Sequence, residues 1–300
     1  MRSARWGASS ASSDVRLTVV GAAAAWGRGT DAASSCYLLE EGRRAGTAQT
    51  ARAAKTAQTA QTAQTALVLD LGQGSFARLA AIRPAESLTA VAISHAHPDH
   101  CVDLIPFRHA LRYEAGAPAG TVALLASAGL PARFDAFLGE SGFLDDLRFV
   151  PLEPGELQFG NLRLAAHRVR HSAESFAFRV VEGAPQGTGV VYSGDCADAG
   201  ELVPILHPGD TLLAEASFGA SSVPPGVPHL DAGMAATAAR EGGAARLVLT
   251  HIQPGVDRAA ALDRARDAFS GEILLAESGL RLEIGETDDR PIGDSGRSSP

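Results

Sequence analysis

Short apolar runs alternate with stretches of helical or turn-forming character along most of the chain. Runs of about four to eight apolar residues are typical of buried strands, whereas apolar residues spaced three and four apart are typical of helices. The runs predict strands at Val15–Val20, Cys36–Leu39, Leu67–Leu71, Val91–Ser94, Thr121–Leu125, Leu147–Pro151, Leu162–Val169, Phe176–Val181, Val190–Ser193, Thr211–Ala214, Leu247–Thr250 and Leu280–Ile284. The helical spacing predicts helices at Phe76–Ile82, Asp103–Tyr113, Pro131–Gly139, Leu230–Arg240 and Asp257–Phe269. Many strands with interspersed helices indicate two sheets that pack together and are covered by helices.

Three stretches do not fit this pattern. We expect the N-terminal residues 1–14, rich in Ser, Ala and Arg, and the tail at residues 286–300 to be disordered. Residues 43–66 contain a repeated Thr-Ala-Gln unit between two predicted strands, with too little apolar surface to pack. That composition indicates a mobile loop or a transient helix. The sequence therefore predicts one domain over residues 15–285 with a low-complexity loop insertion.

Composition and charge narrow the class of protein. The chain has 300 residues, 45% of them hydrophobic and 20% charged, which is enough for one large core. A formal net charge of −8 argues against a strong general nucleic-acid-binding surface. No apolar stretch is long enough to cross a membrane, and Arg16 interrupts the one N-terminal run that could be mistaken for a secretory signal. With an odd count of three cysteines, no disulfide is implied, and we expect a cytoplasmic protein.

The strongest chemical signal is the sequence His95-Ala96-His97-Pro98-Asp99-His100, directly after the apolar run that ends at Ile93. Imidazole nitrogens and carboxylate oxygens suit zinc and similar divalent ions. His95 and His97 lie on the same side of an extended segment and can bind one ion. Pro98 suits the first turn of a helix, which would direct Asp99 and His100 toward a second ion.

This H-x-H-x-D-H motif at a strand end resembles the hallmark of the metallo-β-lactamase superfamily, and the resemblance extends over about residues 15–285. It implies an α+β fold, a four-layer αββα sandwich with the metals at one end between the sheets. It also implies further ligands at Asp195, which follows the run Gly189–Ser193, and at His251, which follows Arg246–Thr250.

The last ligand implied by the resemblance is a histidine between residues 101 and 195. His171 is favoured, because it closes a predicted strand and is followed by a short turn and the next strand. His167 shares the parity of His171 along that strand and stays open as the alternative. We expect His109, on the helix after the motif, and His207, in a loop, to be solvated or packed side chains.

The implied site holds two divalent metal ions. One ion would be bound by His95, His97 and His171, the other by Asp99, His100 and His251, with Asp195 bridging them. Zinc is the default for nitrogen and oxygen ligands, and manganese or iron would also be accepted. Two such ions jointly acidify a shared water and stabilise charge in an in-line displacement. Cys101 and Cys196 each follow a predicted ligand, and we interpret both as small packing residues rather than ligands.

A second segment narrows the chemistry. Glu215 follows the apolar run Thr211–Ala214, and His229 precedes a predicted helix. This arrangement resembles the ribonuclease Z-like branch of the superfamily. The resemblance implies that His229 assists the leaving oxygen, that Glu215 orients His229, and that Asp99 holds the attacking water. An alkoxide is a poor leaving group, so a phosphodiester needs such help.

Ribonuclease Z itself binds tRNA with a long arm between the third histidine and the bridging aspartate. Here His171 and Asp195 are only 24 positions apart, and the intervening residues are needed for a hairpin, so the arm is absent. We therefore expect a metal-dependent phosphodiesterase that acts on a small phosphodiester or phosphonate, a cyclic nucleotide or a short RNA. The alternatives are a tRNA 3′-processing endoribonuclease, a thioester or lactam hydrolase, and a metal- or RNA-binding module without turnover.

Two remaining features concern the surroundings of the site. The resemblance implies Gly/Ser-rich residues in the first loop, Gly21 to Thr30, whereas this chain has a run of alanines there. Trp26 in this loop is a candidate stacking face for a base or a packing residue. The resemblance also allows a homodimer.

Overall fold

Two seven-stranded mixed sheets make up the centre of the protein. The structure is a computed structural model that describes residues 15–27, 32–42 and 64–285. The first sheet contains β1 (Val15–Gly21), β2 (Cys36–Glu41), β3 (Ala66–Leu69), β4 (Ala90–Ala92), β5 (Ala123–Ala126), β6 (Arg148–Pro151) and β14 (Arg281–Ile284) in the spatial order β14-β1-β2-β3-β4-β5-β6. The second contains β7 (Gly155–Phe159), β8 (Leu162–Val169), β9 (Ser175–Glu182), β10 (Gly189–Tyr192), β11 (Thr211–Glu215), β12 (Arg246–Thr250) and β13 (Glu272–Leu275) in the order β13-β12-β11-β10-β9-β8-β7.

Helices cover the outer face of each sheet. They are α1 (Ser75–Ile82), α2 (Pro98–Cys101), α3 (Leu104–His109), α4 (Leu130–Leu138), α5 (Ala232–Glu241) and α6 (Arg258–Arg266). Short 3₁₀ turns lie at Ala85–Ser87, Ala199–Glu201 and Val203–Ile205, and one π-helical turn lies at Ala110–Glu114. Asp231 and Asp257 cap α5 and α6 by accepting hydrogen bonds from backbone N–H groups of the first turn.

The alternation of side chains along each strand produces three apolar layers. In β2, Tyr37 and Leu39 face the layer between the two sheets, whereas Leu38 faces the layer under the helices of the first sheet. A third layer lies between the second sheet and α5 and α6. The result is the four-layer αββα sandwich of an α+β protein, which confirms the predicted fold class.

The structure corrects several predicted elements. β7 and β13 were not predicted; both are edge strands, and their side chains are exposed or only partly buried. The single helix predicted over Asp103–Tyr113 is α3 followed by the π-helical turn. The predicted insertion at residues 43–66 extends too far, because Ala66 is already the first residue of β3. Its residues 43–63, like the two predicted disordered ends, lie outside the described residues.

None of the helices in the described residues has the length and apolar character needed to span a bilayer.

Candidate metal centre

All seven side chains predicted as metal ligands lie together at one end of the sandwich. They come from loops that follow strand ends: His95, His97, Asp99 and His100 after β4, His171 after β8, Asp195 after β10 and His251 after β12. β4 belongs to the first sheet, and β8, β10 and β12 belong to the second. The ends of all four strands meet between the two sheets. The fold therefore brings together groups that are up to 156 positions apart in the chain, as His95 and His251 are.

His95, His97, His171 and Asp195 form the first group, with one ligand atom from each residue within 4.8 Å of all the others. His97 Nδ1 lies 2.9 Å from His95 Nε2 and 3.2 Å from His171 Nε2. Asp195 Oδ2 is 3.8 Å from His95 Nε2 and 3.7 Å from His171 Nε2.

Asp99, His100 and His251 form the second group. His251 Nε2 lies 3.2 Å from Asp99 Oδ2 and 3.3 Å from His100 Nε2. The other oxygen of Asp195, Oδ1, is 3.3 Å from His100 Nε2 and 3.5 Å from His251 Nε2. Asp195 therefore presents one oxygen to each group, which is the arrangement a bridging ligand requires.

The chemistry of this cluster fits cations. Asp195 Oδ1 is buried and has no hydrogen-bond partner among the described residues, although buried polar atoms are nearly always paired. Burial and the charge of His100 lower the pKa of His95, and burial and the charge of His171 lower the pKa of His97, so both rings favour the neutral form that metal coordination needs. For His100 and His251, burial lowers the pKa but the charge of Asp195 outweighs it and raises the pKa. Although burial alone would raise the pKa of Asp195, the charges of His251 and His100 hold it well below its ordinary value. The two groups could each hold a metal ion.

Asp70 is a positioning residue that the sequence analysis missed. Its Oδ2 accepts hydrogen bonds at 2.7 Å from His100 Nδ1, at 2.6 Å from the Tyr192 hydroxyl and at 2.8 Å from the Ser94 hydroxyl. The side chain is fully buried, and its φ of 58° lies in the left-handed region. A carboxylate that holds the outer nitrogen fixes the orientation of the ring and raises its basicity. The available signal was a carboxylate directly after the apolar strand β3.

Backbone and hydroxyl groups orient two further histidines. His171 Nδ1 donates to the Pro228 carbonyl at 2.7 Å, which leaves Nε2 facing the cluster. His251 Nδ1 lies 3.0 Å from the Ser217 hydroxyl. His167 lies on β8, opposite Ala177, and is absent from the cluster, so the structure places His171 there and not its alternative.

His109, His207 and the cysteines lie outside the groups found in the described residues. The His109 ring packs against Tyr113 and Phe143, and His207 lies in a loop before β11. Burial raises the pKa of Cys101 and that of Cys196 to about 12, and both thiols donate to backbone carbonyls, as expected of packing residues.

Glu215 and His229 form a pair at the edge of the cluster, where His229 also forms a third group of possible ligands with Asp195 and His251. His229 Nδ1 is 3.0 Å and 3.2 Å from the two carboxylate oxygens of Glu215, and 3.8 Å from Asp195 Oδ2. Glu215 is fully buried and also accepts from the Cys196 N–H at 2.9 Å and the Ser217 hydroxyl at 2.6 Å. Burial by itself lowers the pKa of His229, but the hydrogen bond and the charge of Glu215 outweigh it and raise the pKa. Because Nδ1 faces Glu215, Nε2 is the nitrogen left for a substrate.

A histidine–aspartate cluster at strand ends, between the sheets of a four-layer αββα sandwich, defines the class of the metallo-hydrolases. The profile of the beta-lactamase superfamily domain matches residues 68–252. The chain belongs to the metallo-β-lactamase superfamily.

Three relatives are similar to this chain over most of its length. The uncharacterized protein ML1173 of Mycobacterium leprae is 32% identical over 73% of this chain and 78% of its own length. The probable metallo-hydrolase YhfI of Bacillus subtilis is 27% identical over 73% of this chain and 88% of its own length. A ribonuclease Z of Salinispora arenicola is 27% identical over 73% of this chain and 86% of its own length.

Solved structures share the fold. The crystal structure of YhfI from Bacillus subtilis superposes with a TM-score of 0.72 at 23% identity, covering 90% of this chain and 99% of YhfI. That of a diphosphatase from the PhnP family superposes with a TM-score of 0.62 at 16% identity, covering 91% of this chain and 98% of the diphosphatase.

Proposed function

We propose that this protein is a dinuclear metal-dependent phosphodiesterase that hydrolyses a small phosphodiester, a cyclic nucleotide or a short RNA. The observation that carries the proposal is the Glu215–His229 pair, which lies beside the predicted bridging residue Asp195. Two groups of metal ligands would by themselves suit many kinds of hydrolase. A histidine with a buried carboxylate partner suits a reaction in which the leaving oxygen needs a proton.

In this proposal His95, His97 and His171 hold one ion, Asp99, His100 and His251 hold the other, and Asp195 bridges them. Bound divalent ions, zinc by default, would supply an activated water and stabilise charge on the phosphoryl oxygens. Asp99 Oδ2 accepts from His251 at 3.2 Å, and its carboxylate would orient the attacking water and take its proton.

His229 would donate the proton to the leaving oxygen from Nε2. Glu215 holds the opposite nitrogen and thereby fixes both the tautomer and the direction of the ring. The Glu215 carboxylate is itself held by the Cys196 N–H and the Ser217 hydroxyl, so its position does not depend on the substrate. A thioester or a lactam gives this pair no clear task.

The second sheet supports a small substrate. The chain between His171 and Asp195 forms β9, a short turn and β10, with no residues left over for a tRNA-binding arm. The net charge of −8 also disfavours a large polyanion. A relative named ribonuclease Z and a structural neighbour named a diphosphatase support chemistry on phosphate esters or anhydrides.

The test compares leaving groups in the zinc- or manganese-loaded protein. The variant His229→Ala should lower kcat for a cyclic nucleotide, whose leaving group is an alkoxide, by about 10²- to 10⁴-fold. Its effect on bis(p-nitrophenyl) phosphate should be about tenfold or less, because p-nitrophenolate leaves without a proton. Glu215→Gln should give the same pattern in weaker form, and His207→Ala is the matched control outside the cluster.

Other outcomes would contradict the proposal. Turnover of a thioester alone, unaffected by His229→Ala, would make the protein a thioester hydrolase. Clean 3′ trimming of a precursor tRNA would overturn the conclusion drawn from the missing arm. Two bound metal ions without turnover of any ester would favour a binding module.

A further inference from the structure

An apolar pocket adjoins the metal centre on the side of α2, α3 and α4. Its volume is about 290 Å³, and its apolar wall is formed by Val102, Ile105, Leu130, Phe134 and Phe137. Ligand pockets typically have about 300–1,000 Å³ and apolar linings with a few polar groups. This volume suits a ring system rather than a folded segment of another protein.

His97 connects the pocket to the metal centre. Its Nδ1 belongs to the first ligand group, 2.9 Å from His95 Nε2, and the same residue lines the pocket together with Ala96 and Pro98. The pocket therefore adjoins the first ligand group, within reach of a substituent of a phosphodiester held there.

Two side chains that line the pocket, those of Phe137 and Arg133, are exposed to solvent. Phe137 is 75% exposed, the largest exposed fraction among the large hydrophobic residues described. Arg133 lines the same pocket, and no carboxylate lies within ion-pair distance of it in the part of the chain that the structure describes. An exposed aromatic face and a free guanidinium beside an apolar wall are the groups that stack on a planar ring and donate to its oxygens.

We infer that this pocket binds the planar aromatic group of the substrate, of the size of a nucleobase, with Phe137 stacked on the ring and Arg133 donating to a ring carbonyl. The inference rests on the proposed function and specifies its substrate class, a nucleotide ester rather than an alkyl phosphodiester. The two faces of the ring would contact Phe137 and the apolar wall at Ile105 and Leu130.

The kinetic test uses two substrates that share p-nitrophenolate as leaving group. The p-nitrophenyl ester of thymidine 5′-monophosphate carries a base, and methyl p-nitrophenyl phosphate does not. We expect wild-type protein to favour the nucleotide ester in kcat/KM. Phe137→Ala should reduce that preference about tenfold through KM, within the about 5- to 150-fold range for loss of one base–aromatic stack. Arg133→Ala should reduce it as well, and Phe137→Trp should restore it.

Tyr113→Ala is the matched control, because Tyr113 is 71% exposed and does not line the pocket. It should leave the preference unchanged. Equal losses on both substrates in Phe137→Ala, or no loss on either, would overturn the inference. A change of Phe137→Ala from dimer to monomer with the preference intact would also overturn it and assign this face to a subunit contact.

A binding measurement separates this inference from the proposed function. Saturation-transfer NMR with thymidine needs neither metal nor turnover, and transfer to the base protons should weaken in Phe137→Ala but not in Tyr113→Ala. If wild-type protein hydrolyses neither ester, the proposed function is wrong, and the NMR result alone then decides the pocket. Equal transfer in wild type and Phe137→Ala would show that the base does not bind there.

Discussion

Two clusters of buried charged side chains lie at opposite ends of the strands of the second sheet, and they differ in how their polar atoms are satisfied. Arg179 donates to both oxygens of Asp210, at 2.8 and 3.0 Å, and to the carbonyls of Pro185 and Gly187 at 2.7 and 2.6 Å. Asp210 also accepts from the backbone N–H groups of Gly189 and His207. This cluster is complete within the protein.

The candidate metal centre, at the other end of the same strands, is not satisfied by protein groups alone. Nitrogen and oxygen atoms of seven residues face one another at 2.9–3.8 Å, and Asp195 Oδ1 has no partner among the described residues. A buried polar group without a partner costs about 1–3 kcal/mol, so such a cluster persists only if something else satisfies it. A cluster of buried charges whose hydrogen bonds are all made within the protein therefore has a structural role. A cluster of metal-ligand atoms that lack hydrogen-bond partners indicates a bound cation.

The largest effect is expected from Asp195→Ala, which removes the oxygen shared by both groups. Turnover of a phosphodiester should fall at least about a thousandfold, because Lewis-acid stabilisation is worth several kcal/mol. Metal content, measured by plasma mass spectrometry, should fall below that of the wild type. EDTA should lower the Tm of the wild type, since ions bound to the native state stabilise it.

The contrast between the two clusters would be wrong if Asp195→Ala, measured without metal, lost as much free energy of unfolding as a variant that breaks the other cluster. We expect its loss of stability without metal to be smaller than that of a variant that breaks the other cluster, because Asp195 Oδ1 has no hydrogen-bond partner among the described residues.

Asp210→Ala should have the opposite profile. It leaves the Arg179 guanidinium buried and without a carboxylate, so the free energy of unfolding should decrease by about 3–5 kcal/mol. Urea denaturation measures this loss. The metal content and kcat/KM of the fraction that remains folded should stay within about twofold of wild type, because Asp210 lies at the opposite end of the strands and distant sites are usually independent. Loss of metal together with stability would show that the two clusters are coupled.

Asp70→Asn tests a residue that shares features of both clusters. Asp70 is satisfied by protein donors yet holds His100, so it belongs to both kinds of cluster. We expect metal affinity to fall about 10- to 100-fold, as for other partners of metal-bound histidines. Competition with a chromophoric chelator measures the affinity. Tyr192→Phe, which removes only one donor to Asp70, is the matched variant and should have a smaller effect; an equal effect would place the role in Tyr192.

Much of the fold was predictable from the sequence, and the failures have physical causes. The buried strands have apolar runs that can be recognised, as in β11 and β12. β7 was missed because hydrogen bonding to β8, rather than an apolar run, defines it as a strand. β13 was missed although Ile273–Leu275 is apolar, because the run is short. The metal motif was recognisable because His95 to His100 are local in sequence, and their geometry follows from one strand end and one helical turn.

From the sequence alone one could recognise the residues that could bind metal and the predicted strand that each of them follows. The choice between His167 and His171 needed the tertiary structure, because His167 lies within β8 opposite Ala177, whereas His171 lies in the loop after β8, beside the other predicted ligands. It also revealed that Asp70 supports His100, that the two oxygens of Asp195 face different groups, and that a pocket adjoins His97. Such contacts join segments distant in sequence, and their distances depend on how the two sheets pack, which no local pattern encodes.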